Sequence, residues 1–469
     1  MTHALALLRS EPRARLFFAA LAQSSLGTGA AYVALLVIAY ERFRSPWAIS
    51  LVLLADFVPA MLLGPVLGAA VDRWSRRWCA VVADLTRAAA FVGIALLGSF
   101  EATVALALVA GTGTALFRPA ALAGIPSLVA SDRRAAATSL YGAITDFGYT
   151  GGPAIAAAAF AVLGPEDLML VNGATFAVSA GILASLSFGD PLVGPDRRQE
   201  ARRSLVQEAR EGLAASLRIP GIRVVITALG VGMFFGGVFN VIELPFAADA
   251  LGTGPSGYSV LITVYGLGFV AGSLLGSGGG EPPRLKRRYL QGLVLTGVGS
   301  LAAGVSFDFA PAFGAFALGG FGNGLAVVHQ RLLFQSEVGA SLQGRVFAVA
   351  DALTAWGFAL GFIAAGAMAA ATGPRTLLLL IGAGEVALAA LTGLALRGHW
   401  VAPVGARGRL QPGDESGDSG RGPRRRRHRE LGQQSPHLVD GSRFWLTLLD
   451  DIGQGGDDPG VELRPGIRD

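Results

Sequence analysis

Apolar residues along this chain fall into runs of about 20 to 25, and a helix of that length crosses a hydrocarbon layer of about 30 Å. Runs such as AAYVALLVIAY and LLLLIGAGEVALAALTGLAL are apolar at odd and even positions alike. That excludes the alternating ten-residue segments of a membrane barrel. The pattern predicts spanning helices near residues 16–40, 48–71, 78–100, 102–126, 135–163 and 168–189. A second six follow near 222–247, 256–279, 288–307, 310–334, 343–371 and 374–397. The first run follows Arg9, Arg13 and Arg15, and Ala20, Leu21 and Ala22 look like a cleavage site. Cleavage there would leave an apolar core of about five residues, fewer than the roughly seven a signal peptide needs, so the run reads as an uncleaved first helix.

Loop charge tests the helix count, because a wrong count would scramble its alternation. One side collects Arg9, Arg13 and Arg15, then Arg73, Arg76 and Arg77, then Arg133 and Arg134, then Arg284, Lys286, Arg287 and Arg288. The other side carries Arg42, Arg44 and Arg375 beside the acidic turn of Glu166 and Asp167. Both termini are therefore expected in the cytoplasm, with the chain a multi-pass protein of the inner membrane. The division expected is a six-helix bundle over 1–189, a cytoplasmic linker over 190–221, a second bundle over 222–397, and a disordered cytoplasmic tail over 398–469 rich in Gly, Pro, Arg and Asp. Within the linker, RRSLVQEAREGLAASLR has apolar positions at helical spacing, which predicts a short helix along the membrane face. The segment SLVLLADFVPAMLLGPVLGAA, from Ser50, aligns with YSVLITVYGLGFVAGSLLGSGG at an offset of 208, placing Gly64 on Gly272 and Gly68 on Gly276. Such an internal duplication predicts an all-α membrane protein of twelve transmembrane helices in two pseudo-symmetric six-helix bundles facing a central path.

Composition agrees: 52% of residues are hydrophobic and 15% charged, too few for the polar shell of a soluble protein of this length. The pI of 9.8 and the run Arg424 to Arg427 raise nucleic-acid binding. Most other arginines, however, sit in alternate short loops, so no nucleic-acid partner is expected. Cys79 is the single cysteine and allows no internal disulfide. Glycines recur four apart within apolar runs, spacing that lets helix backbones approach closely. Lys286 is the only lysine and lacks the Gly-Lys-Ser/Thr context of a phosphate loop, which excludes an ATP-driven pump within this chain. A hydrolase would need a nucleophile with a basic partner. His329 is the one histidine well inside a predicted helix, and it is expected to face the cytosol. No enzyme activity, cofactor or metal site is expected.

The segment GAAVDRWSRR, from Gly68 to Arg77, resembles the loop signature between the second and third helices of the major facilitator superfamily. Gly64, Gly68, Asp72, Arg73, Arg76 and Arg77 carry the likeness, while Ser75 stands where glycine is usual. The resemblance implies a cytoplasmic gate in which Asp72 meets the positive N-terminal end of the eleventh helix near Gly344 and Arg345. The second half holds only GSGGGEPPRLKRR at the corresponding place. In the fifth helix, GYTGGPAIAA resembles the glycine-proline signature of exporters through Gly148, Gly152 and Pro153, with Ala156 and Ala157 replacing the closing glycines. A Gly-Pro kink of ordinary structural origin is the other reading. Across the first 397 residues, phrases such as FRPAALAGIPSLV and GRVFAVADALTAWGFALGF are similar to the drug:proton antiporter-3 branch, which holds macrolide exporters and an enterobactin exporter. That resemblance implies proton-coupled efflux of amphiphilic drugs, antibiotics or siderophores by a monomer. An importer of the same fold and a transport-dead receptor or scaffold are the alternatives.

Ionisable residues within spanning helices are costly, and are usually paired or functional. Asp56, Arg118, Asp146, Asp351 and Glu385 qualify, together with Asp84 and Arg87, whose three-residue spacing suits a structural pair on one helix face. Arg118, before Pro119, and Asp146 are expected to pair between adjacent helices. In one reading Asp146 takes up a proton while Arg118 tunes it or meets an anionic group of the cargo; in the other they form a static neutralising pair. Asp351 joins the gate or lines the path. Glu385 belongs to a peripheral helix. Gln23, Asn240 and Trp356 are uncharged cavity candidates by depth alone.

Overall fold

The structure, a computed structural model, describes residues 7–71, 73–186, 205–276 and 280–399. Its long helices are α1 (Pro12–Phe43), α2 (Pro46–Val71), α3 (Arg76–Leu96), α4 (Phe100–Gly124), α5 (Arg134–Ala159) and α6 (Pro165–Ser185). After a linker helix α7 (Leu205–Arg218) come α8 (Pro220–Pro245), α9 (Gly254–Gly276), α10 (Pro282–Val305), α11 (Phe309–Glu337), α12 (Ala340–Thr372) and α13 (Pro374–Ala395). Prolines open six of the twelve long helices, at the first-turn positions where the missing N–H costs nothing. Ten of the twelve hold an apolar stretch of spanning length. The other two are α5, which includes Arg134 and Asp146, and α10, which begins with Arg284, Lys286, Arg287 and Arg288. Each packs as its equivalent in the other half does.

The two halves repeat one packing scheme. In the first, α1 packs on α5 and α6, α3 on α4 and α6, and α2 on α4. In the second, α8 packs on α12 and α13, α10 on α11 and α13, and α9 on α11. Closest approaches repeat as well. A Cβ on Gly111 would lie 2.1 Å from the Asp56 carbonyl oxygen, and one on Gly320 would lie 2.0 Å from that of Tyr265. Both pairs are 209 residues apart in sequence, so the structural register of the repeat differs by one from the offset of 208. Gly64 and Gly272 are therefore not equivalent, and neither are Gly68 and Gly276. Repetitive Gly and Leu runs match almost equally well at neighbouring offsets, and only the helix contact separates them.

Across the halves, α2 meets α12 and α5 meets α9. The buried cores show where they meet. One apolar cluster mixes both halves, from Ala30 to Tyr40 and Ala48 to Ala55 through Val238 to Val264 and Phe362 to Ala369. Two others belong to one half each: around Phe17, Phe117 and Leu183 in the first, and around Ile226, Tyr289 and Phe334 in the second. The shared core lies toward the face opposite the linker; the separate cores lie at the linker face. Bonded at one end and divided at the other, the bundles enclose a cleft open to the linker face.

The linker helix does not simply lie along the surface. A Cβ on Gly212 would come within 2.8 Å of the Arg345 carbonyl oxygen, and Glu211 pairs with the Arg345 guanidinium at 2.8 Å. α7 is thus docked on the first turns of α12. The expected tail lies, from residue 400 on, outside the described residues.

Candidate functional site

The closed end is built from side chains of both halves. Phe57 of α2 sits 6.1 Å, centroid to centroid, from both Phe358 and Phe362 of α12 in edge-on geometry. Trp47 packs where a Cβ on Gly366 would meet its ring at 2.6 Å. The Tyr40 hydroxyl donates to the Asp249 carboxylate, linking α1 to a π-helical turn, Phe246–Ala250, that follows Pro245. Arg375 donates to the Ala250 carbonyl at 3.0 Å and lies against the Phe246 and Phe307 rings, which holds that turn in place.

Beneath this seal lies Glu243 of α8, 5% exposed, accepting a hydrogen bond from the Tyr258 hydroxyl at 3.2 Å. Among the described residues no cation pairs with Glu243.

Toward the linker end of their helices, Arg118 on α4 and Arg331 on α11 are exposed, as are Asp146 and Tyr149 on α5. The expected ion pair between Arg118 and Asp146 is not made: no contact within 4.0 Å joins them. Asp146 is exposed on α5, one turn before the half-buried Thr150. Asp351 and Trp356, the latter 52% exposed, lie on α12, and Asn240 is half-buried on α8 three residues before Glu243.

The glycines near the expected gate have open space beside them. A Cβ on Gly64, Gly68, Gly142 or Gly344 would have no described neighbour within 4 Å, although their helices α2, α5 and α12 are the ones that cross between halves at the other end. Asp72 lies outside the described residues. Arg73 is exposed and Arg76 half-buried, Arg77 stacks on Trp78, and Arg345 is engaged by Glu211. Gly148 and Gly152 face α1: a Cβ on Gly152 would lie 2.4 Å from the Gly29 Cα, with Pro153 next to it on the same packed helix.

Two further expectations are corrected. Gln23 faces α6, donating to the Thr175 carbonyl at 2.8 Å, and does not line the cleft. His329 is fully buried, with Nδ1 2.7 Å from the Leu325 carbonyl, because Gly276 leaves room for its ring between α9 and α11. Asp84 and Arg87 do form the expected pair, and it is sealed: Asp84 is 0% exposed, and the guanidinium lies between the Phe117 and Phe176 rings at 4.3 and 4.2 Å. Glu385 accepts from Ser300 at 2.9 Å between α13 and α10, away from the cleft.

Sequence reasoning missed Glu243, Asp249 and Arg331. Glu243 had a readable signal, as the one acid in the apolar run from Ile222 to Phe246. Asp249 and Arg331 look like ordinary helix-end charges until the other bundle is placed.

The Major Facilitator Superfamily model matches residues 16–350 of this chain. Macrolide efflux protein A of Streptococcus pyogenes is 24% identical over 337 residues, covering 69% of this chain and 81% of that protein. An uncharacterized MFS-type transporter of Mycobacterium tuberculosis is 26% identical over 377 residues, covering 73% and 81%. In fold, the chain is similar to a bacterial homolog of the human lysosomal transporter Spinster, solved in an inward-facing and unoccupied conformation. The TM-score is 0.64 at 16% identity, over 83% of this chain and 98% of that one.

Proposed function

The chain belongs to the major facilitator superfamily, and from that premise we propose that it is a secondary active exporter of amphiphilic small molecules, driven by protons. The observation that carries alternating access is the division of the core: one shared cluster at one end and one cluster per bundle at the other. Two rigid bodies joined at a single end can rock, closing the linker face as the opposite face opens. The linker face is the cytoplasmic one in this reading, as the arginine-rich loops require. The cleft then receives cargo from the cytoplasm or the inner leaflet. Similarity to macrolide efflux protein A supports export over import.

Asp146 and Glu243 are the acids assigned to proton exchange. Asp146 is accessible from the cleft, whereas Glu243 is sealed in the closed end, where a charged carboxylate without a cation is costly. Opening the opposite face would hydrate Glu243, so its exchange is tied to the rocking of the bundles. Such coupling needs a differential interaction with the two states, which burial against hydration supplies. In everted vesicles, an imposed proton gradient should drive uptake of a fluorescent amphiphile, and dissipating the gradient should abolish it. A deletion strain should become sensitive to a subset of antibiotics, dyes or siderophores and recover on complementation. Accumulation of cargo by intact cells would instead identify an importer, and no movement in either assay a scaffold.

A further inference from the structure

We infer that the linker helix α7 carries a docking face for the chain's own C-terminal segment, Phe444 to Ile452. α7 has two sides. Glu211, Ala215 and Ser216 lie against the second bundle: Glu211 pairs with Arg345 at 2.8 Å, Ala215 packs on the core around Ile226 and Phe334, and Ser216 is fully buried. The opposite side carries Arg210, Leu213, Leu217 and Arg218, at the three- and four-residue spacing that puts side chains on one helix face. Leu213 and Leu217 are 48% and 47% exposed, and neither arginine pairs with an acid among the described residues. Acyl chains do not cover this face as they cover other exposed apolar residues. Trp78, Val82 and Leu85, about half exposed, continue into the spanning part of α3, whereas α7 ends before the span that begins at Pro220.

The segment that fits belongs to the same chain. The sequence FWLTLLDDI, wound as a helix, puts Trp445, Leu448, Leu449 and Ile452 on one side. From Asp440 to Asp458 there are five aspartates and one basic residue, Arg443. Those acids oppose binding to an anionic cytoplasmic leaflet, and they complement Arg210 and Arg218 as the apolar side complements Leu213 and Leu217. Reach is ample. The chain leaves α13 at the linker face, where the Lys286 ammonium donates to the Leu396 carbonyl at 3.1 Å. α13 packs on α8, and α8 begins two residues after α7 ends, so the exit point and the end of α7 are about one helix spacing, roughly 10 Å, apart. A flexible chain over residues 400–443 has a root-mean-square span of about 35 Å, and such a tether holds the segment at an effective concentration on the order of millimolar. Seated on α7, it would ride with the second bundle, to which it is also joined through α13.

The test uses the purified full-length protein carrying Cys79→Ser and Ala214→Cys, a position between Arg210 and Arg218 on the same helix face. The new cysteine is labelled with a bimane, whose emission tryptophan quenches at near contact. Trp445→Phe keeps the apolar side and removes the quencher, so it should brighten the label about threefold or more, and Trp400→Phe should leave it unchanged. Arg210→Glu combined with Arg218→Glu should brighten the label as much, and adding Asp450→Arg with Asp451→Arg should restore the quenching. Melting temperatures should stay the same throughout, because no altered charge faces the bundle. Emission indifferent to Trp445→Phe would overturn the docking, and a blue shift of that emission in nanodiscs of anionic lipid would identify the membrane as the occupant instead. Quenching of a labelled Trp445→Phe chain by unlabelled native chains, rising with concentration, would assign the contact to a second copy and overturn it within one chain. The readout is taken in detergent without cargo or gradient, so it stands or falls independently of export.

Discussion

The Tyr40 hydroxyl donates to the Asp249 carboxylate across the seam between the bundles, joining the end of α1 to the π-helical turn after α8. Both groups belong to the closed end, and the bond can exist only while that end stays shut. Arg375 holds the turn from the other side through the Ala250 carbonyl. Tyr40→Phe keeps the ring and deletes the donor, and it should cost the closed arrangement about 1 kcal/mol. In a background with Cys79→Ser, a cysteine introduced at Ser50, which is fully buried beside this seam, should label several-fold faster with a water-soluble maleimide when Tyr40→Phe is added. Equal labelling rates would show that the bond does not restrain opening.

The Asp84–Arg87 pair is expected to be structural. Arg87→Met would leave the buried Asp84 carboxylate unpaired, a loss of about 3 to 5 kcal/mol. Thermal unfolding in detergent should show a large drop for Arg87→Met and a substantial recovery when Asp84→Asn is combined with it. Loss of transport in the double variant at normal stability would give the pair an active role instead.

Glu243→Gln preserves a partner for the Tyr258 hydroxyl at the same size. The protein should unfold at about the same temperature or higher, because a buried ionisable group has become neutral. Proton-driven efflux should fall to near background. An undiminished response of this variant to the proton gradient would remove Glu243 from coupling, and the same outcome for Asp146→Asn at equal expression would remove Asp146.

Two glycines distinguish packing from movement. A side chain at Gly361 would begin 2.3 Å from the Phe234 carbonyl oxygen, so Gly361→Leu should prevent tight assembly of α8 with α12 and sharply reduce folded protein. At Gly68 a side chain meets nothing described in this conformation. Gly68→Leu should fold with unchanged melting temperature yet lose transport, since closing the linker face brings α2 toward α12. Full transport by Gly68→Leu would mean that the cleft does not close there.

The helix count, nearly every boundary to within a few residues, the break between bundles and the existence of a repeat were determined by the sequence alone. Spanning length is a local property: about twenty consecutive apolar residues suffice to state it, whatever the helix later packs against. The Asp84–Arg87 pair was legible for the same reason, since both partners lie on one helix face. What only the tertiary structure decided was the rotation of each helix and the end at which the bundles touch. One residue turns a side chain by about 100°, so depth alone could not tell Gln23, which faces α6, from Glu243, which sits beneath the seal. For the same reason the repeat read at 208 while the Gly111–Asp56 and Gly320–Tyr265 contacts run at 209. The Tyr40–Asp249 bond likewise needs both bundles in place, and no local pattern encodes a distance between chain segments that meet only across a seam.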